Sequence, residues 1–255
     1  MKKKAFFLML VLFGVGVLKV EVADAEELLP RPKLVVGIVI DQMRPDYLYR
    51  YYDRYGKGGF RRMLTHGAVC ENNMMVHLPS YTAVGHSMLY TGTTPSINGI
   101  AGNDFVDQKT GRSLYCTADS LVKSVGSTSS AGRMSPRNLL ASTITDELRL
   151  ATNFRAKVIS VSLKDRASIL PAGHCPTGAF WFDASNGSFI TSTYYSAALP
   201  DWLLRFNRED NARKLLTGTW NTLYPIETYV QSTVDDSPYE RPYLSGQRPV
   251  FPYLL

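Results

Sequence analysis

The sequence predicts an α/β fold: a mostly parallel central sheet flanked by helices, with a hairpin-rich insertion at about residues 165–220. Three observations predict it. Lys33-Leu34-Val35-Val36-Gly37-Ile38-Val39-Ile40 and Lys157-Val158-Ile159-Ser160-Val161-Ser162-Leu163 are near-continuous β-branched runs, the pattern of parallel strands buried on both faces. Segments with helical spacing lie between them, such as Gly59 to His66. Asn186-Gly187, between the aromatic run Gly178 to Asp183 and the run Gly187 to Ser192, is a hairpin signal.

In chain order, the first strand ends in Asp41, placed where open α/β sheets build their sites. Asp41 reads equally as a site carboxylate or as the cap of the next helix. Arg44 to Tyr55 and Gly59 to His66 alternate aromatic and basic residues at helical spacing, predicting two short helices packed under the sheet edge. Ala68 to Val76 returns as a second strand, delivering Pro79 to Thr82 to the same edge. A helix follows, with Ser80 as its cap and Thr82 in its first turn. Asp104 to Tyr115, broken at Lys109 to Arg112, predicts a surface hairpin. Ser124 to Gly132 is small and polar, a mobile loop. Ser135-Pro136 opens a helix to about Ala151, and Pro200 to about Leu216 reads as an amphipathic helix. Beyond Trp220 the Tyr/Pro-rich tail has no clear periodicity.

The 255 residues are 45% hydrophobic, enough for one good core. Three units of the +6 net charge come from Lys2, Lys3 and Lys4, and no basic run is interleaved with aromatics, so a nucleic acid polymer is not an expected partner. Cys70, Cys116 and Cys175 are odd in number and lack C-x-x-C spacing; one disulfide plus one thiol is compatible with them, and the pair is undetermined. The basic start, the apolar run Ala5 to Leu18 and Ala23-Asp24-Ala25 have the layout of a secretory signal peptide, residues 1–25, cut after Ala25. The competing reading is an uncleaved anchor, but the run is shorter than the ~20 residues a span needs. The expectation is a periplasmic or secreted protein with no stable membrane anchor. Walker and G-x-G-x-x-G phosphate loops are absent from the sequence.

Asp41, Thr82, Asn103, Lys164 and Arg166 all fall at strand or helix ends on one predicted edge. A hydroxyl in the first turn of a helix lies where unpaired N–H groups and the dipole favour an anion. A carboxylate can bind a divalent metal that ionises such a hydroxyl. An amide N–H₂ and two cations can hold the nonbridging oxygens of a phosphoryl group. Each residue also has a plain structural reading: Thr82 as a helix-capping residue, Lys164 and Arg166 as a solvated strand end.

The segments Val39 to Arg44, Tyr81 to His86, Tyr90-Thr91-Gly92, Gly99 to Asn103 and Ser162 to Arg166 resemble the alkaline phosphatase superfamily. Among its members they are most similar to bacterial phosphate-irrepressible alkaline phosphatases with a threonine nucleophile. They are also similar to nucleotide pyrophosphatase/phosphodiesterases. The resemblance runs from about residue 33 to 210. It implies an exported enzyme with two zinc ions, one contacted by Asp41 and Thr82, that hydrolyses phosphate monoesters through a phosphothreonine at Thr82. It further implies that Asn103, Lys164 and Arg166 hold the transferred phosphoryl group. Phosphodiester or pyrophosphate hydrolysis is the alternative, and a noncatalytic phosphate-binding fragment is a third reading. The family completes its metal site with later ligands arranged as D-x-x-x-H, D-H and an isolated His. Here the histidines are His66, His77, His86 and His174, and none follows His174. Residues 26–255 are therefore expected to be the N-terminal portion of a catalytic domain, inactive alone.

Overall fold

The computed structural model describes residues 31–255; the expected signal peptide and its cleavage site lie outside them. Among the described residues, 31–39 group apart from a second, larger unit, Ile40–Leu255. Every helix and strand among the described residues belongs to the second: α1 (Tyr47–Arg50), α2 (Gly59–His66), α3 (Thr82–Thr91), α4 (Pro95–Asn98), β1 (Asp104–Val106), β2 (Ser113–Tyr115), β3 (Ser124–Val125), α5 (Ile144–Ala151), β4 (Ile159–Ser162), α6 (Asp165–Ala172), β5 (Gly178–Asp183), β6 (Ser188–Ser192), α7 (Asp201–Arg208), α8 (Asn211–Leu215), β7 (Thr219–Trp220) and β8 (Tyr253–Leu254).

The fold is α/β, with one mixed sheet in the order β3-β6-β5-β4. β4 and β5 are parallel, joined through α6 in a β-α-β unit, and the remaining pairs are antiparallel. Alternation along β5 explains its two covered faces. Ala179 and Trp181 pack with Ile169, Ala172 and Ile190 on the α6 side, while Phe180 packs with Val125, Leu199 and Leu203 on the α7 side. The Trp181 indole also donates to the Ala131 carbonyl at 2.9 Å. The β1–β2 hairpin forms as expected, and so does the β5–β6 hairpin, which turns through residues 184–187.

Several expectations are corrected. Lys33 to Ile40 forms no regular element, with Leu34, Val35 and Val36 exposed. β-branched residues favour a strand, but the ladder needs a neighbour, and no described strand pairs with this run. Ala68 to Val76 is irregular, with a turn at Glu71 and Asn72, instead of a strand; Met74 and Val76 lie open to solvent, so no buried face selects an extended register. α1 and α2 bury no residue under the sheet. Their aromatic rings stack locally instead, Tyr47 on Tyr51 and Tyr55 on Phe60, and Arg54 lies over Tyr229. The helix expected from Ser135 starts at Ile144, because Thr143 and Asp146 form a reciprocal capping box there. The helix expected through Leu216 breaks after Arg208, where Asp210 takes a φ of 51°. β4 is an edge strand, half exposed, not covered on both faces.

The expected mobile loop at Ser124 to Gly132 is instead tied down. Ser127 and Ser129 each donate to Asp183 Oδ2 at 2.6 Å, and Ser185 donates to Oδ1 at 2.7 Å. Although burial works against the charged form, these hydroxyls hold the Asp183 carboxyl at about 2, below its ordinary value. A carboxyl depressed in the folded state stabilises it above the unfolded value, and that contribution disappears as pH falls through the folded value. Asp183→Asn is therefore expected to lose about 1–2 kcal/mol at pH 7. The gap from the parent should close as urea melts are repeated from about pH 4 down to about pH 2.

Candidate active site

Tyr81 is extended at φ −61° and ψ 161°, which makes Thr82 the first residue of α3. Tyr81, not Ser80, occupies the cap position, and it makes no side-chain capping bond. The Thr82 hydroxyl donates to Asp41 Oδ2 at 2.7 Å across 41 positions of chain. Asn103 follows the close turn at Gly102, where a Cβ would meet the Asp104 carbonyl at 2.8 Å. Its Oδ1 accepts from the Ala83 N–H at 3.0 Å, capping α3 from outside the helix. With the carbonyl oxygen so used, the Asn103 N–H₂ is turned to the other side as a donor pair. Asp41 is thus bonded to Thr82 itself, and Asn103 to the backbone of the next residue, Ala83. Asp41 lies in a turn, so the pairing arises without the two parallel strands expected to deliver it.

Lys164 and Arg166 follow the C-terminal end of β4, at the start of α6. Lys164 is the cap residue and is exposed. Arg166 is half-buried: its Nη1 donates to the Tyr115 hydroxyl at 2.9 Å, and its Nε is shut off from solvent with no acceptor among the described residues. Tyr115 in turn donates to Asp165, 2.9 and 3.0 Å from the two carboxylate oxygens, and Thr117 donates to the same carboxylate at 2.6 Å. Burial first, and then the Asp165 charge, push the Tyr115 phenol well up. The Cys116 N–H donates to the Asn103 carbonyl at 2.9 Å, so the hairpin that presents Asn103 also presents Tyr115. Arg166 is therefore joined to the Thr82 side through Tyr115, whereas the Lys164 side chain makes no bond to a described residue that would fix its direction.

Tyr115, Thr117 and Asp165 were not anticipated. Asp165 sits inside the Lys164 to Arg166 segment and reads from sequence only as a spacer. Tyr115 reads as the last residue of a surface hairpin.

His86 is buried, and its ring Nδ1 lies 2.7 Å from the Thr82 carbonyl, a packed helical histidine. His174 belongs to a different cluster. Its Nδ1 lies 3.1 Å from Asp146 Oδ2 and its Nε2 2.9 Å from the Leu139 carbonyl. Both partners only accept, so both ring nitrogens carry protons and His174 is an imidazolium. The Asp146 hydrogen bond leads the effects that raise His174.

Asp41 and Thr82 offer two convergent oxygen donors, suited to a divalent cation, but among the described residues no three His, Cys, Asp or Glu side chains gather to hold one. Among the described residues Asp41 and Thr82 are therefore candidate ligands only, with no third side chain gathered beside them.

A hydroxyl at a helix start beside a carboxylate, an amide on the next residue's N–H and a guanidinium held by a phenol are groups chemically suited to contacting an anion such as a phosphoryl group. The sequence matches the type I phosphodiesterase / nucleotide pyrophosphatase family over residues 35–245, and the chain belongs to that family. It is 54% identical over 237 residues to alkaline phosphatase PhoV of Synechococcus elongatus, covering 93% of this chain and 43% of that protein. It is 55% identical over 232 residues to alkaline phosphatase PafA of Elizabethkingia meningoseptica, covering 91% and 42%. A protein of Myroides odoratus named calcium-transporting ATPase is 54% identical over 228 residues, covering 89% and 42%. The crystal structure of wild-type PafA superposes with a TM-score of 0.86 at 56% identity, over 88% of this chain and 44% of that one. The chain spans about two fifths of the length of these relatives.

Proposed function

We propose that this chain is the nucleophile-bearing portion of an exported, zinc-dependent alkaline phosphatase that hydrolyses phosphate monoesters through a phosphothreonine intermediate. The observation that carries it is the Thr82 hydroxyl at the start of α3, bonded to Asp41 and flanked by Asn103. A structure of PafA with substitutions at a threonine, an asparagine, a lysine and an arginine gives further support. In that set the threonine and asparagine are spaced as Thr82 and Asn103 are here, and the lysine and arginine as Lys164 and Arg166.

Asp41 accepts the Thr82 hydrogen bond and turns the oxygen's lone pairs outward. Asp41 and Thr82 would hold a zinc ion there, whose positive charge would stabilise the ionised hydroxyl. Thr82 Oγ1, its proton passed to water, forms a bond to phosphorus as the bond to the leaving-group oxygen breaks and that oxygen takes a proton from water; a second water then attacks phosphorus, releasing phosphate as the Oγ1–phosphorus bond breaks and Oγ1 regains a proton. The Asn103 N–H₂, Lys164 and Arg166 hold the nonbridging oxygens as charge redistributes. Two cations suit a monoester dianion better than a diester, in which one of those oxygens carries a second organic group.

The family match and the solvent-facing Lys164 favour diester hydrolysis as the second reading. Comparing 4-nitrophenyl phosphate with its bis-ester on the complete protein separates the two. Lys164→Ala is expected to lower monoester kcat/KM by ~10-fold or more and to leave the bis-ester within about threefold; the reverse ordering would favour the diesterase. The 255-residue chain alone should bind zinc weakly and turn over neither ester, which metal analysis after purification checks.

A further inference from the structure

We infer that Tyr115 is a positioning residue that aims the Arg166 guanidinium at the phosphoryl group while keeping its charge free of Asp165. This rests on the role proposed above for Arg166. The directions of the hydrogen bonds around Tyr115 are fixed by chemistry. The Asp165 carboxylate can only accept, so Tyr115, 2.9 and 3.0 Å from its two oxygens, gives its proton to it. Thr117 fills a further acceptor position on Asp165 at 2.6 Å. The phenol oxygen then offers its lone pair to Arg166 Nη1, which it meets at 2.9 Å.

The arrangement places a neutral oxygen on a guanidinium whose sequence neighbour is a carboxylate. Asp165 makes no ion pair with Arg166 among the described residues. A bidentate carboxylate would compete directly with a phosphoryl group for the same fork of donors. A phenol holds one corner of the fork and leaves most of the charge unspent. Because the guanidinium is rigid and planar, fixing Nη1 also fixes the directions of its other donors. Arg166 Nε is enclosed and without an acceptor among the described residues, a donor kept dry for a group the protein does not supply.

Tyr115 is itself anchored to the nucleophile's side. Its ring packs against the cluster containing Ala83, the residue after Thr82, and Leu170 of α6. Its backbone pairs with Asp104, the residue after Asn103. The hairpin therefore sets the spacing between Asn103 and Arg166, and the phenol makes the contact.

The test is a double-mutant cycle on the complete, zinc-loaded enzyme: parent, Tyr115→Phe, Arg166→Ala and the double variant, each assayed with 4-nitrophenyl phosphate and its bis-ester. Tyr115→Phe is expected to lower monoester kcat/KM by ~10-fold and the bis-ester by less than about twofold, and to cost less than about twofold once Arg166 is alanine. An equal loss in both backgrounds, or an equal loss on both esters, would make Tyr115 a general brace and overturn the inference. If Arg166→Ala leaves the monoester rate unchanged, the reading of Arg166 itself is wrong, whatever Tyr115 does. Should Tyr115→Phe fail to fold, Asp165→Asn keeps the ring in place while weakening its orientation, and must show the same dependence on Arg166.

Discussion

Thr82→Ala, made in the complete and zinc-loaded enzyme, is expected to lower turnover of 4-nitrophenyl phosphate by ~10³-fold or more. Among the described residues the hydroxyl on Asp41 is that of Thr82, 2.7 Å from its carboxylate. Alanine removes the hydroxyl proposed as the nucleophile and is expected to leave the fold undisturbed, because α3 is capped by Asn103 on the Ala83 N–H and not by the Thr82 side chain. Thr82→Ser keeps an oxygen at the same place and should retain activity within about tenfold. The direct check is acid quenching during turnover followed by mass spectrometry, which should find phosphate on the peptide containing Thr82 and nowhere else. Full turnover by the alanine variant, with unchanged melting, would show that the hydroxyl only packs the helix start. Unchanged phosphate binding with no trapped adduct in the parent would favour the noncatalytic reading.

Asp146→Ala is expected to cost about 3–5 kcal/mol in urea unfolding at pH 6. The carboxylate is buried and accepts from the Thr143 N–H and hydroxyl, from the His174 N–H and ring, and from the Cys175 N–H. It ties the capping box of α5 to the end of α6, where Gly173 has a φ of 76° and a Cβ would overlap the same carboxylate. Burial alone would raise the Asp146 carboxyl, but bonds from His174, Thr143 and Cys175 hold it well below the usual range. Alanine leaves the His174 imidazolium facing nothing. Because His174 is raised in the folded state, its contribution is complete below its ordinary value of 6.5 and is lost as pH climbs through the folded value. The half-exposed ring limits that part to about 1 kcal/mol, so the Asp146→Ala penalty should be smaller at pH 9 than at pH 6. A penalty that grew with pH would contradict the imidazolium assignment.

The sequence made the hairpins legible because their signals are local. Asn186-Gly187 and Lys109 to Arg112 name their own turns, and the strands beside them follow by alternation. Of the candidate site residues, Asp41 bonds to Thr82 and Asn103 to the N–H of the next residue, Ala83, a juxtaposition that residue type and chemistry point to from sequence. What could not be read was pairing at a distance. Lys33 to Ile40 and Ala68 to Val76 have strand composition, but whether they join a sheet depends on neighbours that composition does not encode. The start of α5 was misplaced because Ser135-Pro136 is a plausible local start, whereas the capping box at Thr143 is reinforced by His174 and Cys175, some thirty residues on. Tyr115 escaped notice for the same reason: its partners lie 50 and 51 positions away.

The bare stretch Leu34 to Ile40 bears on how this polypeptide behaves in a cell. It is a short β-prone window without charge or proline, and its side chains stand open to water. Such windows recruit copies of themselves into stacked assemblies or are captured by chaperones. Expressed on its own, the 255-residue chain should enter inclusion bodies, and a lysine in place of Val36 should raise the soluble yield without touching Thr82 or Arg166.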